Sequence, residues 1–330
     1  MIRSRSGPIP SALHTENTLG FRTATLSLNA HEPFSRMKIK HLFSCAVGVF
    51  AAAFIAHAES SVWKVSKGEN ALYLGGTSHL LRPADFPLPP EFDEAYAAAS
   101  AVYFETDIKR SMSAEMQQIV QQRGMLPEGR TLESVLSPRA WKRVQTYCAQ
   151  RGLPLGQFAK LRPWLFLTMI GIMEIQKLGV TQEGVDMHFF QRATADQKTI
   201  GELESFEHHI DYITNLAAGH ESEMIEQSLD DLAALPKDLD DLLSGWRKGD
   251  LAPLDKLMHE EMRAKYPAIY STLLVERNNN WLPVIERLVA TPETEFVLAG
   301  IGHMVGPDGL LAQLQKRGYA IEQIKASRAN

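Results

Sequence analysis

Two histidines in this chain sit in the same local setting. Ala71-Leu72-Tyr73-Leu74 runs into Gly75-Gly76-Thr77-Ser78-His79-Leu80-Leu81, and Glu295-Phe296-Val297-Leu298-Ala299 runs into Gly300-Ile301-Gly302-His303-Met304-Val305. Both read G-x-x-H followed by two apolar residues, and each continues to a Pro and an Asp, at Pro83 and Asp85 and at Pro307 and Asp308. One copy would be an ordinary strand-end turn that happens to carry a histidine; two copies near opposite ends of the chain point to one shared site. Short apolar runs bounded by glycine are expected to be buried strands. Glycine, lacking a Cβ, is expected to let the backbone turn and leave each histidine at a strand end. Glu105 follows Ala101-Val102-Tyr103-Phe104 in the same way. Two imidazoles and a carboxylate form a three-ligand set that leaves a divalent metal with open positions, which separates a catalytic from a structural ion. Water at such a position becomes acidic near neutral pH, and the ion polarises a carbonyl. The donors suit Mn, Co, Zn or Fe without selecting one. Glu105 has a second possible role, as general base beside two histidine ligands.

Hydrolysis also needs positive charge where negative charge develops. The polar cluster Glu276-Arg277-Asn278-Asn279-Asn280-Trp281 interrupts an otherwise Leu- and Val-rich helix. Arg277 suits a carboxylate or an oxyanion and Asn278 could orient substrate; the alternative is a surface helix with an ordinary ion pair. Other features carry less. Ser78 lacks the second glycine of a nucleophile elbow and is expected to bond within its turn. His259-Glu260-Glu261-Met262-Arg263 has no second zincin histidine. His208 and His209 read as solvated helix residues, His188 as a core histidine, and Asp186 as the cap of its helix rather than a site residue.

The elements that would position these groups follow from pattern. A hairpin over 61–74 leads into the first motif, a proline-rich loop (Pro83, Pro87, Pro89, Pro90) follows, and then come a helix over 91–100 and the strand ending at Glu105. Strand, helix, strand is βαβ grammar, and in such sheets strand carboxyl ends line the ligand crevice. Residues 111–290 are mainly helical, with a candidate strand at 199–204 and acidic helices at 221–232 and 237–246 that read as solvated faces. Strand, helix and strand return from Phe296, with the helix at 308–317 and the last strand at 319–324. The expected fold is α/β: a mostly parallel central sheet made by the two ends of the chain, with a large helical insertion at about 111–290.

Residues 1–36 are polar and without apolar period, and are read as a disordered or non-native extension. Met37-Lys38-Ile39-Lys40 then opens an apolar run that ends in Ala56-His57-Ala58. A basic start, a short apolar core and a small-x-small site describe a secretory signal peptide at 37–58, cut after Ala58. The run is short for a membrane span, so none is expected to remain after cleavage, and the location is periplasmic or secreted. Residues 59–330 are then a single domain of ordinary composition, with the whole chain 45% hydrophobic and 22% charged. A net charge of -5 without a long basic run gives no footing for nucleic acid. Of the two cysteines, Cys45 leaves with the signal and Cys148 is expected to be buried and inert.

Taken in order, Gly76-x-x-His79, Phe104-Glu105, Gly184-Val185-Asp186, Leu203-Glu204, Glu276-Arg277-Asn278 and Gly300-x-x-His303 resemble the TraB/PrgY/GumN family, over nearly all of the chain after the signal. That family includes the Tiki metalloproteases and is similar to the erythromycin esterases and the ChaN haem-binding proteins. The resemblance implies an EreA/ChaN-like α/β fold with His79, Glu105 and His303 as catalytic metal-site residues, Arg277 and Asn278 as a polar pair on the substrate, and Mn or Co as the metal. The leading expectation is an exported metal-dependent hydrolase, a peptidase acting on a peptide or protein substrate. The rivals are a periplasmic haem- or metal-binding protein and a non-catalytic factor in envelope or polysaccharide assembly.

Overall fold

A computed structural model describes residues 59–325 except 80, 182 and 217. The expected extension, signal peptide and cleavage site lie outside the described residues. Six strands form one sheet in the order β4-β3-β5-β2-β1-β6. They are β1 (Glu59–Lys67), β2 (Asn70–Thr77), β3 (Ala101–Phe104), β4 (Thr199–Glu202), β5 (Glu295–Gly300) and β6 (Ala320–Lys325). The strands β4, β3, β5 and β2 run parallel to their neighbours, while β1 is antiparallel to both β2 and β6. The sheet is therefore mixed, which corrects the expectation of a mostly parallel one. The cause is local: a tight turn between Lys67 and Asn70 forces β1 to fold back along β2, and a short turn can only join antiparallel strands. β6 then pairs with β1 and not with a parallel neighbour.

The parallel half holds the two histidine motifs side by side. Gly76 pairs with Ala299 and Thr77 with Gly300. Neither Gly75 nor Gly76 makes a turn; both lie inside β2. A Cβ on Gly75 would stand 2.7 Å from Leu298 and 2.8 Å from Phe296, so these glycines exist to let neighbouring side chains approach, not to bend the chain. Val62, Val65, Leu72, Leu74, Val102, Phe104, Phe296 and Leu298 are fully or almost fully buried and make the sheet core.

The stretch between β3 and β5 is helical apart from β4, which joins the sheet at its edge. Helices Pro138–Gln150 and Pro163–Lys177 enclose a second apolar core of Val144, Tyr147, Cys148, Phe166 and Ile170, with Leu132 and Ile225. Cys148 is a free, buried thiol, and burial pushes its pKa up, as its inert reading requires. The two expected acidic helices are one, Glu221–Lys248, which continues through Pro236. Only one face is solvated: Leu239, Leu243 and Trp246 are buried, and the Trp246 indole donates to the Gly76 carbonyl at 2.7 Å. Among the described residues no helix is long and apolar enough to cross a membrane.

Candidate functional site

Each of the four parallel strands ends at a polar group on the same sheet edge. β2 is followed by His79, β3 by Glu105, β4 by Glu204 and β5 by the single turn Ile301–Met304 that carries His303. Strand pairing extends past β3 and β4, where the Leu203 and Glu204 amides donate to the Phe104 and Glu105 carbonyls. Parallel neighbours share a carboxyl edge, so the topology converts four distant sequence positions into one crevice.

The guanidinium of Arg277 lies at the centre of this crevice. Nη2 donates to Glu105 Oε2 and to Glu204 Oε1, both at 2.7 Å, and Nη1 lies 3.1 Å from His303 Nε2. Arg277 is 7% exposed and its charged plane lies 4.5 Å from the centre of the Trp281 ring, one helical turn on. Trp281 also donates from its indole to Glu204 Oε2 at 3.0 Å, and its ring lies tilted against that of His303 with centres 4.4 Å apart. Helix Glu276–Val289 enters this position directly from a π turn, Ser271–Val275. Such turns recur at functional sites because one extra residue re-aims everything after it. The surface ion-pair alternative for Arg277 is thereby excluded.

The hydrogen-bond network assigns a tautomer to His303. Asn278 donates through Nδ2 to the Asp308 carbonyl at 2.9 Å, so its Oδ1 is the atom that faces His303 Nδ1 at 2.7 Å. His303 therefore carries its proton on Nδ1 and keeps a lone pair on Nε2. Burial pushes its pKa down to about 3, with Arg277 adding to the effect against Glu105. Asn278, expected to orient substrate, is buried and orients His303 instead.

His79 lies at the open side, with 64% of its side chain exposed in a cleft that is otherwise crowded by protein. Its Nδ1 lies 2.8 Å from Asp186 Oδ2. The Asp186 carboxylate, opposed by burial, raises its pKa to about 9. Asp186 is thus a partner of His79 and not a helix cap; the capping position of helix Val185–Ala195 is Gly184, without a side-chain bond. A Cβ on Gly184 would stand 2.7 Å from the Ser78 carbonyl oxygen and 2.8 Å from His79 Cα, both backbone atoms that cannot swing away. Gly184→Val is expected to cost about 1–3 kcal/mol and to part Asp186 from His79. Urea titration together with the His79 ring shifts in NMR would check both effects.

Burial pushes the Glu105 carboxyl up, but Arg277, His303, His79 and the Gly300 amide (2.8 Å from Oε1) outweigh it and hold it well below the usual carboxylate range. Burial likewise opposes, and His209 and Arg277 outweigh it, at Glu204. A depressed folded pKa stabilises fully above the unfolded value of 4.5, and the contribution is lost as pH falls through the folded value. The two carboxylates should therefore contribute fully above pH 4.5 and lose that contribution as pH falls below it, so thermal melts should drop on the acid side. Glu204→Gln should flatten that acid limb.

Glu204 and His209 enter the site beyond the expected set. His209 Nδ1 lies 2.8 Å from Glu204 Oε1, so it is not merely a solvated helix residue, whereas its neighbour His208 is exposed as expected. Spacing to Ser205, the cap of helix Phe206–Asn215, could have indicated that Glu204 sits just outside that helix and inside the crevice. His188 is half-buried against the Phe189 and Phe86 rings.

As for metal, the donor set fits a divalent ion in kind. Both histidines have Nδ1 facing an oxygen, of Asp186 at 2.8 Å and of Asn278 at 2.7 Å, the outer arrangement that leaves Nε2 as the ligand atom. Among the described residues, however, no three His, Cys, Asp or Glu side chains stand close enough together to hold one ion. The guanidinium stands among them.

The model of the TraB/PrgY/gumN family matches residues 61–323. Metalloprotease TIKI2 of Xenopus tropicalis is 25% identical over 323 residues, covering 82% of this chain and 60% of the relative. The metalloprotease TIKI homolog of Nematostella vectensis is 26% identical, with 81% and 67% covered, and metalloprotease TIKI1 of Homo sapiens is 24% identical, with 82% and 63% covered. The chain thus spans 60% of the length of the first of these relatives, and no solved structure matches it. With both G-x-x-H motifs, Glu105 and Arg277 inside the matched span, the chain belongs to the TraB/PrgY/gumN family.

Proposed function

We propose that this protein is a metal-dependent hydrolase that cleaves peptide bonds in peptide or protein substrates, exported by the leader at 37–58. The observation that carries the reading is that Nδ1 of each histidine faces an oxygen, of Asp186 or of Asn278, which leaves Nε2 as the ligand atom of each ring beside an anionic Glu105. The relatives named as metalloproteases support the reaction class. His79, Glu105 and His303 are the residues that would hold the ion, with Mn, Co or Zn as the candidates. A divalent metal there supplies Lewis acidity and an activated water.

The chain's own groups divide the remaining work. The depressed Glu105 carboxyl is a poor proton acceptor near neutral pH, so its part is that of an anionic ligand and not of a general base. His79, the solvent-facing donor, must lose a proton to act as a ligand, and Asp186 balances the charge on the ring. The substrate chain lies over a groove of about 330 Å³ lined by His208, Asp211, Tyr212, Asn215, Thr272 and Asn280. Arg277 lies 5.8 Å from the Tyr212 ring, so this groove opens beside the crevice. A volume at the small end of the range for ligand sites suits one substrate side chain more than a whole ligand.

The test is hydrolysis of a peptide library followed by mass spectrometry, with chelator, with Mn or Co restored, and with His79→Ala/His303→Ala. Cleavage that needs the metal and vanishes in the double variant is expected. Cleavage that persists in the chelated or doubly substituted protein would overturn the reading.

A further inference from the structure

Arg277 already occupies the lone pairs that a metal would need. The Nδ1 of His303 is committed to Asn278, so Nε2 offers the ring's one lone pair, and Arg277 Nη1 faces it at 3.1 Å. Glu105 gives Oε1 to the Gly300 amide and Oε2 to Arg277 Nη2. An ion can gain His303 Nε2 only by taking it from the guanidinium, and must share Glu105 Oε2 with Nη2. Glu204 is on the other side of the arginine and differs in kind. It holds Arg277 through Nη2 at 2.7 Å and Nε at 3.4 Å, and is itself fixed by Trp281 and His209.

We infer that Arg277 is a resident cation that competes with the metal for His303 and Glu105, and that it turns about its Glu204 anchor when the ion enters. This rests on the metal-dependent reading above. Electrostatics favour the exchange. Glu105, Glu204 and Asp186 against Arg277 and a protonated His79 leave the crevice net negative, which favours entry of a divalent ion. The π turn Ser271–Val275 just before Arg277 gives the helix a place to absorb the shift. Once it has turned, the arginine keeps its Glu204 bond and has Nη1 free for the substrate carbonyl, where oxyanion charge develops. The same residue thereby closes the metal-free site and serves the loaded one.

Removing this positively charged site residue strengthens metal binding. A purely structural arginine would do the reverse, because its loss would disorder Glu105 and His303. The experiment is calorimetric titration of Mn and of Co into the purified protein and its Arg277→Met and Arg277→Lys variants, with Co absorption spectra as a second readout. Arg277→Met is expected to lower the Kd by about tenfold or more, and metal should raise its melting temperature more than that of the wild type. Arg277→Lys keeps one point charge that cannot bridge a ring and two carboxylates together, so its Kd should fall between the two. It also serves if Arg277→Met does not fold without metal. Wild-type protein that binds Mn or Co while both variants bind equally or more weakly overturns the competition and leaves the metal site standing. No binding by any of the three overturns the metal reading and this inference with it.

Discussion

Glu105→Gln is expected to lower peptide hydrolysis by about 10²–10³-fold while the protein stays folded. Glutamine keeps an oxygen for the Gly300 amide at the Oε1 position, so the turn that carries His303 retains its support. It loses the charge that acts on His79, His303 and Arg277 together. The effect should appear in kcat/KM and in metal affinity, with the melting temperature changed far less. A variant with near wild-type turnover would remove Glu105 from the chemistry.

The largest effect on stability is expected from Arg277→Met in metal-free protein, about 3–5 kcal/mol. Arg277 is the cation that both buried carboxylates share, and deleting it leaves Glu105 and Glu204 facing each other in a poorly hydrated crevice. The Trp281 contact, worth about 0.5–2 kcal/mol for a cation over an aromatic ring, goes with it. Without their partner the carboxyls should titrate above their usual value. The stability gap between variant and wild type should then narrow as pH falls and protons replace the missing charge. Urea denaturation at neutral and at acid pH measures both the size and the direction.

Much of the site was legible because its parts come as strand ends. A short apolar run followed by a polar residue is a local pattern, and three of the four strand-end groups, His79, Glu105 and His303, announce themselves that way. β4 is different. Thr199-Ile200-Gly201-Glu202 is an edge strand with an exposed face, so it lacks the buried apolar signature that would have marked Glu204 as a site residue. The partners of the two histidines were hidden for another reason. Asp186 and Asn278 lie on helices remote in sequence, and nothing local separates a cap or a substrate contact from a bond that fixes a ring. Gly184 illustrates the limit: its need for a bare Cα arises from the Ser78–His79 backbone, a contact that exists only once the sheet and helix have met. The direction of β6 was equally invisible. Its alternating pattern suits either neighbour, and the hairpin left the outer edge of β1 as its place.

The most direct test is anomalous scattering from crystals of the protein loaded with Mn or Co, collected at the absorption edge of the metal. One strong peak is expected within ligand distance of His79 Nε2, Glu105 and His303 Nε2, with Arg277 turned from His303 and still bonded to Glu204. A loaded protein with no peak in this crevice, and with Arg277 still bridging His303, Glu105 and Glu204, would contradict that expectation.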